Sequence, residues 1–136
     1  MAGYSGTPLP KKLGIKEGFA VALVNAPVGF VKELGDLPAN VKMYSQKLPN
    51  TVDLTLLFVD SEKSLTKQFP ALMKKMPSNG TLWVAWPKKS SGVVTDLGEA
   101  KVRKFGLVEG LVDVKICAVN EIWSGLKFVY RLKDRK

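Results

Sequence analysis

Val52-Asp53-Leu54-Thr55-Leu56-Leu57-Phe58-Val59, running on into Asp60-Ser61-Glu62-Lys63-Ser64-Leu65, decides the fold. The first eight residues are almost continuously apolar, which marks a strand buried on both faces and therefore central in its sheet. Asp60 or Ser61 is placed to cap a helix directly after it. Leu65, Phe69, Leu72, Met73 and Met76 then fall on one helical stripe, while Pro70 predicts a kink or two abutting helical pieces. A buried strand feeding an amphipathic helix is half of a parallel α/β unit.

The same pattern extends in both directions. Upstream, Phe19-Ala20-Val21-Ala22-Leu23-Val24, set between Gly18 and Asn25, reads as another doubly buried strand. Pro27 suits the first turn of a short helix carrying Phe30, Val31 and Leu34 on one face, with Gly35 as its stop. Residues 41–44 form a weaker strand. Residues 1–10, with Gly3, Gly6, Pro8 and Pro10, read as an extended arm, and Lys11-Lys12-Leu13-Gly14 as a single turn closed by glycine. Downstream, Pro77-Ser78-Asn79-Gly80 is a turn, and Thr81-Leu82-Trp83-Val84-Ala85-Trp86 is a strand ended by Pro87. Asp96 and Glu99 make a capping-box pattern for a helix running to about Phe105, with Gly106 closing it.

The last quarter differs in kind. Residues 111–119 and 122–132 are β-rich and separated only by Asn120-Glu121, which makes an antiparallel hairpin. Its second arm puts Leu126, Phe128, Tyr130 and Leu132 on one face and Lys127, Arg131 and Lys133 on the other. The expectation is one three-layer, Rossmann-like α/β domain over residues 1–136. Residues 1–17 form its N-terminal arm and 18–136 its core, a mostly parallel sheet of about six strands with a C-terminal hairpin.

Composition narrows the chemistry. The 136 residues contain no histidine and one cysteine, Cys117, so His-based triads, histidine general bases and nearly all zinc sites are excluded. A lone cysteine, a start without a signal-peptide pattern and no apolar run near the ~20 residues of a membrane span together predict a cytoplasmic protein away from membranes. Twenty-one Lys and Arg against 12 Asp and Glu leave a charge of +9, which favours anionic partners: a small molecule, an acidic protein or nucleic acid.

The succession strand, helix, strand, strand, helix, strand, helix, hairpin resembles a reduced class I methyltransferase-like Rossmann fold, lacking one helix and one edge strand between about Gln46 and Thr51. That resemblance implies a strand order of 2-1-3-4-6-5. At residue level Ala2-Gly3-Tyr4-Ser5-Gly6-Thr7-Pro8, Lys11-Lys12-Leu13-Gly14-Ile15-Lys16, Leu23-Val24-Asn25-Ala26-Pro27, Leu82-Trp83-Val84-Ala85-Trp86-Pro87-Lys88-Lys89, Thr95-Asp96-Leu97 and Trp123-Ser124-Gly125-Leu126-Lys127-Phe128 resemble a bacterial family of small proteins with no assigned activity. The resemblance covers essentially the whole chain and implies the fold alone.

Open α/β sheets bind ligands outside the carboxyl ends of their strands. The segments expected there are Asn25-Ala26-Pro27, Asp60-Ser61 and Trp86-Pro87-Lys88-Lys89-Ser90-Ser91-Gly92. An S-adenosylmethionine or dinucleotide site wants a glycine-rich first turn and an acid after the second strand. Here the first turn holds a single glycine, Gly29, and Met43-Tyr44-Ser45-Gln46-Lys47 holds no carboxylate. Lys88, Lys89, Ser90, Ser91 and Gly92 have the ingredients of a phosphate or nucleotide site without the order of a P-loop. Trp86 and Trp123 suit either core packing or base stacking. Lys115, Lys127, Arg131 and Lys133 form a candidate basic strip for nucleic acid. Asp60 and Asp96 are explained as helix caps, and Cys117 as a small buried hydrophobe. The reading is a non-catalytic module that recognises an anionic ligand or partner at the strand-end loops. Its alternatives are a minimal S-adenosylmethionine-dependent methyltransferase and a basic nucleic-acid accessory protein.

Overall fold

The structure, a computed structural model, describes residues 7–135; the first part of the expected N-terminal arm, residues 1–6, lies outside them. In chain order the elements are α1 (Leu9–Leu13), β1 (Ala20–Val24), α2 (Phe30–Leu34), β2 (Lys42–Tyr44), β3 (Leu54–Phe58), α3 (Glu62–Met73), β4 (Thr81–Pro87), α4 (Glu99–Glu109), β5 (Leu111–Ala118) and β6 (Trp123–Tyr130). Single 3-10 turns follow β4 at Lys89–Ser91 and β6 at Leu132–Asp134.

The six strands lie in the order β2-β1-β3-β4-β6-β5, as the resemblance implied. β1 to β4 are parallel, and β6 runs antiparallel to both β4 and β5. Residues 45–53 join β2 to β3 with neither helix nor strand, so the shortened connection is also found. They cross on the α3 side, where Val52 N–H donates to Lys75 O at 2.8 Å.

Alternation along the central strands divides the core in two. Leu54, Leu56 and Phe58 of β3, with Trp83 and Ala85 of β4, face α1 and α2 through Leu13, Phe30 and Leu34. Leu57 and Val59, with Leu82, Val84 and Trp86, face α3 and α4 through Leu65, Phe69, Leu72 and Val102. Each large side chain fully buried in this way contributes about 1.5–3 kcal/mol of hydrophobic stabilisation. Thr55, in the middle of β3, is the exception: its Oγ1 is buried without a hydrogen-bond partner among the described residues.

Several sequence expectations change in detail. The first helix begins at Leu9, inside the expected arm, and carries Leu13 into the core. Pro27 precedes α2 and does not lie in its first turn, since the N-cap is Gly29, and Val31 is exposed although Phe30 and Leu34 are buried. α3 runs unbroken through Pro70, which sits in its last turn, where the missing N–H removes only one helical bond.

α4 extends past Phe105 to Glu109 and closes on Gly110 at φ 108°. Gly106 is instead a packing residue: a Cβ there would run into the ring of Phe128. No side chain caps α4 at its N-cap, Gly98. Asp96 serves α3, its Oδ1 accepting from Glu62 N–H at 2.8 Å. Leu132 leaves the hairpin stripe for the final 3-10 turn and is exposed.

Candidate functional site

The strand order reverses between β1 and β3, so the crevice at their carboxyl ends is where this architecture places ligands. Asn25 follows β1 with φ 61°, a left-handed conformation that asparagine tolerates. From there its Nδ2 donates to Phe58 O at 3.2 Å and to Gln68 Oε1 at 3.0 Å. Gln68 Nε2 donates to Ser64 Oγ at 2.8 Å, and Ser64 N–H donates to Ser61 Oγ at 3.1 Å. One polar chain therefore bridges the crevice from β1 to the start of α3.

Beside this bridge, at the ends of β1 and β2, lies a recess of about 450 Å³. Asn25, Ala26, Pro27, Gly29, Ser45 and Gln46 line it over a floor of Leu23 and Phe30. The expected segment Asn25-Ala26-Pro27 thus belongs to a real concavity. Ser45 and Gln46 follow β2, where the sequence holds no carboxylate, and their hydroxyl and amide are the polar groups of the lining at that place.

The other strand-end residues do not join the recess. Ser61 caps α3 with its side chain, whereas Asp60, the alternative cap, is exposed and offers its backbone carbonyl to Thr95 Oγ1 at 2.6 Å. Thr95 and Asp96 so fasten the loop before α4 onto the start of α3. Trp86 is buried against α3 and α4. Trp123 lies on the opposite face, edge-on to Phe58 at 5.0 Å, so the two tryptophans share no stacking surface.

In the Lys88–Gly92 segment the backbone turns inward: Lys88 N–H donates to Ile122 O, Ser91 N–H to Lys88 O and Gly92 N–H to Lys89 O. Ser91 Oγ donates to Lys88 O at 2.6 Å and accepts from Val93 N–H at 3.1 Å. Lys89, Ser90 and Gly92 are exposed. Backbone donors that would cradle a phosphate are therefore largely used within the turn.

The four cations expected as a strip separate. Lys115 and Lys127 are register partners across β5 and β6, on the face that carries α1. Arg131 turns to α4, donating to Leu107 O at 3.1 Å, and Lys133 lies in the last 3-10 turn. Cys117 is half-buried, and burial pushes its thiol pKa up against the pull of Lys12 and Lys115, so at neutral pH it is not a thiolate nucleophile. Among the described residues no three His, Cys, Asp or Glu side chains gather as they would around a metal ion. No helix among them is long and apolar enough to cross a membrane.

The recess offers neutral donors and acceptors and no charged group in its lining. Chemically it suits a polar, uncharged moiety such as a nucleoside. Its lining lacks the carboxylate that would accept from the ribose hydroxyls of S-adenosylmethionine, and the Asn25–Gln68 bridge spans the crevice beside it.

No family model matches the chain, and no curated protein does. Solved structures do. A SAM-dependent methyltransferase from Aquifex aeolicus is 19% identical with a TM-score of 0.60, over 87% of this chain and 85% of that one. Fibrillarin from Aeropyrum pernix, solved with natively bound S-adenosyl-L-methionine, is 11% identical with a TM-score of 0.61, over 93% and 70%. The DhpI–SAH complex is 10% identical with a TM-score of 0.63, over 92% and 83%. At these identities the likeness is one of fold, and the chain carries the methyltransferase-like Rossmann fold in reduced form.

Proposed function

We propose that this chain is a binding module without group-transfer chemistry, which holds the nucleoside part of a small ligand at the carboxyl ends of β1 and β2. The observation that carries the reading is the recess beside Asn25: it sits where an open α/β sheet receives ligands, and its lining is polar but uncharged. Ser45 and Gln46 would bond ribose hydroxyls, Phe30 and Leu23 would floor the base, and Asn25 would close the inner wall. Two neighbours of this fold were solved with S-adenosyl-L-methionine or SAH, ligands that share an adenosine.

The test is calorimetry with adenosine, S-adenosylhomocysteine and S-adenosylmethionine. The reading expects all three to bind with affinities within about tenfold of one another, because only the shared nucleoside is held. It also expects Gln46→Ala and Ala26→Trp to weaken all three together. S-adenosylmethionine bound more than about a hundredfold tighter than adenosine would instead support a transferase, as would steady release of S-adenosylhomocysteine in a cell extract.

A further inference from the structure

At the opposite, amino-terminal end of the sheet lies a second recess, of about 360 Å³, between the segment after α1, the start of β4 and the end of β6. Its character is cationic. Lys16, Lys127 and Arg135 line it together with Asn79 and Thr81, and no carboxylate belongs to its lining. Lys127 is half-buried there, with Gly14 drawn so close that a Cβ on it would lie 3.6 Å from Lys127 Nζ.

Among the described residues, no carboxylate forms an ion pair with Lys16 or Lys127. The ion pairs of Lys101 and Arg103 with Glu62, Glu99 and Asp113 lie elsewhere. The side chains of Lys16 and Lys127 have no ion pair or hydrogen bond among the described residues. Burial, and then the like charges of Lys115 and Lys16, hold the Lys127 pKa below its ordinary value. Arg135 donates from Nε to Tyr130 O at 3.0 Å, which anchors the guanidinium and leaves its two terminal nitrogens for a ligand.

Like charges in a partly desolvated concavity repel one another, and a multiply charged anion both removes the repulsion and accepts their hydrogen bonds. Size and layout select the anion. The recess holds more than a single phosphate, and the cations beside it are tied to the chain: Lys115 Nζ donates to Lys12 O and Lys12 Nζ to Ala118 O, both at 3.1 Å, Arg131 is bound to Leu107 O, and Lys133 lies beyond the strand. A polymer would need successive phosphate contacts. We propose that Lys16, Lys127 and Arg135 receive a small, multiply charged phosphate compound, a free diphosphate or the phosphate tail of a nucleotide, at the amino-terminal end of the sheet. This site is independent of the nucleoside recess.

The test is calorimetry with pyrophosphate in about 50 mM salt, where screening still leaves surface charges active. Saturable one-to-one binding with Kd below about 1 mM is expected. Lys127→Met should weaken it about tenfold or more, and Lys16→Ala and Arg135→Ala, both exposed and safe for folding, about threefold to tenfold each. Lys88→Ala/Lys89→Ala should change nothing. ATP binding more tightly than pyrophosphate, and still losing affinity in Arg135→Ala, identifies the source as a nucleotide; equal affinity identifies a free phosphate compound. The proposal is overturned by the absence of saturable binding, by affinity unchanged in all three variants, or by a short oligonucleotide that outcompetes pyrophosphate with a steep salt dependence. Loss of adenosine binding with pyrophosphate binding intact would remove the nucleoside reading alone.

Discussion

The two ends of this sheet carry opposite chemistry. At the carboxyl end, Asn25, Ser45 and Gln46 present amides and a hydroxyl without charge, and the crevice beside them is closed by a hydrogen-bonded bridge. At the amino end, Lys16, Lys127 and Arg135 present three positive charges in a lining that holds no carboxylate. The net charge of +9 is therefore no guide to the chemistry of the expected ligand end. The position of a recess follows from topology, whereas its selectivity follows from which side chains distant segments bring to it.

The harshest way to break the contrast is to undo what seats α1 over the amino end. Trp83 is fully buried, and its Nε1 donates to Leu13 O at 2.8 Å. Trp83→Phe should lose about 2–4 kcal/mol of stability, from a cavity plus an orphaned carbonyl. In the fraction still folded it should weaken pyrophosphate and spare adenosine; chemical denaturation and calorimetry check both.

Gly106→Ala acts on the opposite face, where the new methyl meets the fully buried Phe128 ring. A loss of about 2 kcal/mol in a denaturant melt is expected, although alanine is the better helix former, and both ligands should bind the folded protein normally. A gain in stability would contradict that packing.

Asn25→Gly keeps the left-handed backbone and removes the bridge. It should cost about 1 kcal/mol or less. It should also raise affinity for S-adenosylhomocysteine relative to adenosine, because the crevice opens; an unchanged ratio would show that the bridge is not what keeps the rest of the larger ligand from adding affinity.

Thr55→Val replaces an unpartnered buried hydroxyl with a methyl and should stabilise by about 1 kcal/mol, with no effect at either end. A thermal melt decides its sign.

The smallest effect is in pH. The folded pKa of Lys127 lies below the 10.5 of an unfolded lysine, so the unfolded chain holds the extra proton, and stability gains with pH in the alkaline window just below 10.5. Lys127→Met removes that gain. The wild-type minus variant difference in denaturant midpoint should therefore rise with pH there, while the opposing titration of Cys117 is common to both chains. A flat difference would mean that Lys127 is no more crowded than an ordinary lysine.

Much of the fold was legible in the sequence because doubly buried strands are continuous apolar runs. Residues 19–24 and 52–59 could be little else, and Asn120-Glu121 is too short for anything but a hairpin. Glycine was less legible: as punctuation it can end a helix, and only the Phe128 ring pressed onto Gly106 shows that it does not. The carboxyl-end recess was half legible. The topology rule points to Asn25-Ala26-Pro27, whereas a hydroxyl and an amide after a strand, Ser45 and Gln46, carry no such signal as an acid there would. The amino-end cluster was not legible, because Lys16 and Lys127 stand far apart in the chain. Only the docking of α1 through Leu13 and Trp83, together with the hairpin register, brings them together.

The most direct measurement is a backbone amide NMR titration of one labelled sample, first with adenosine and then with pyrophosphate. The account predicts two separate and additive sets of shifts, adenosine moving residues around Asn25, Ser45 and Gln46 and pyrophosphate those around Lys16, Thr81 and Lys127. Competition between the two ligands for one set of amides, or pyrophosphate shifts centred on residues 88–92, would contradict it.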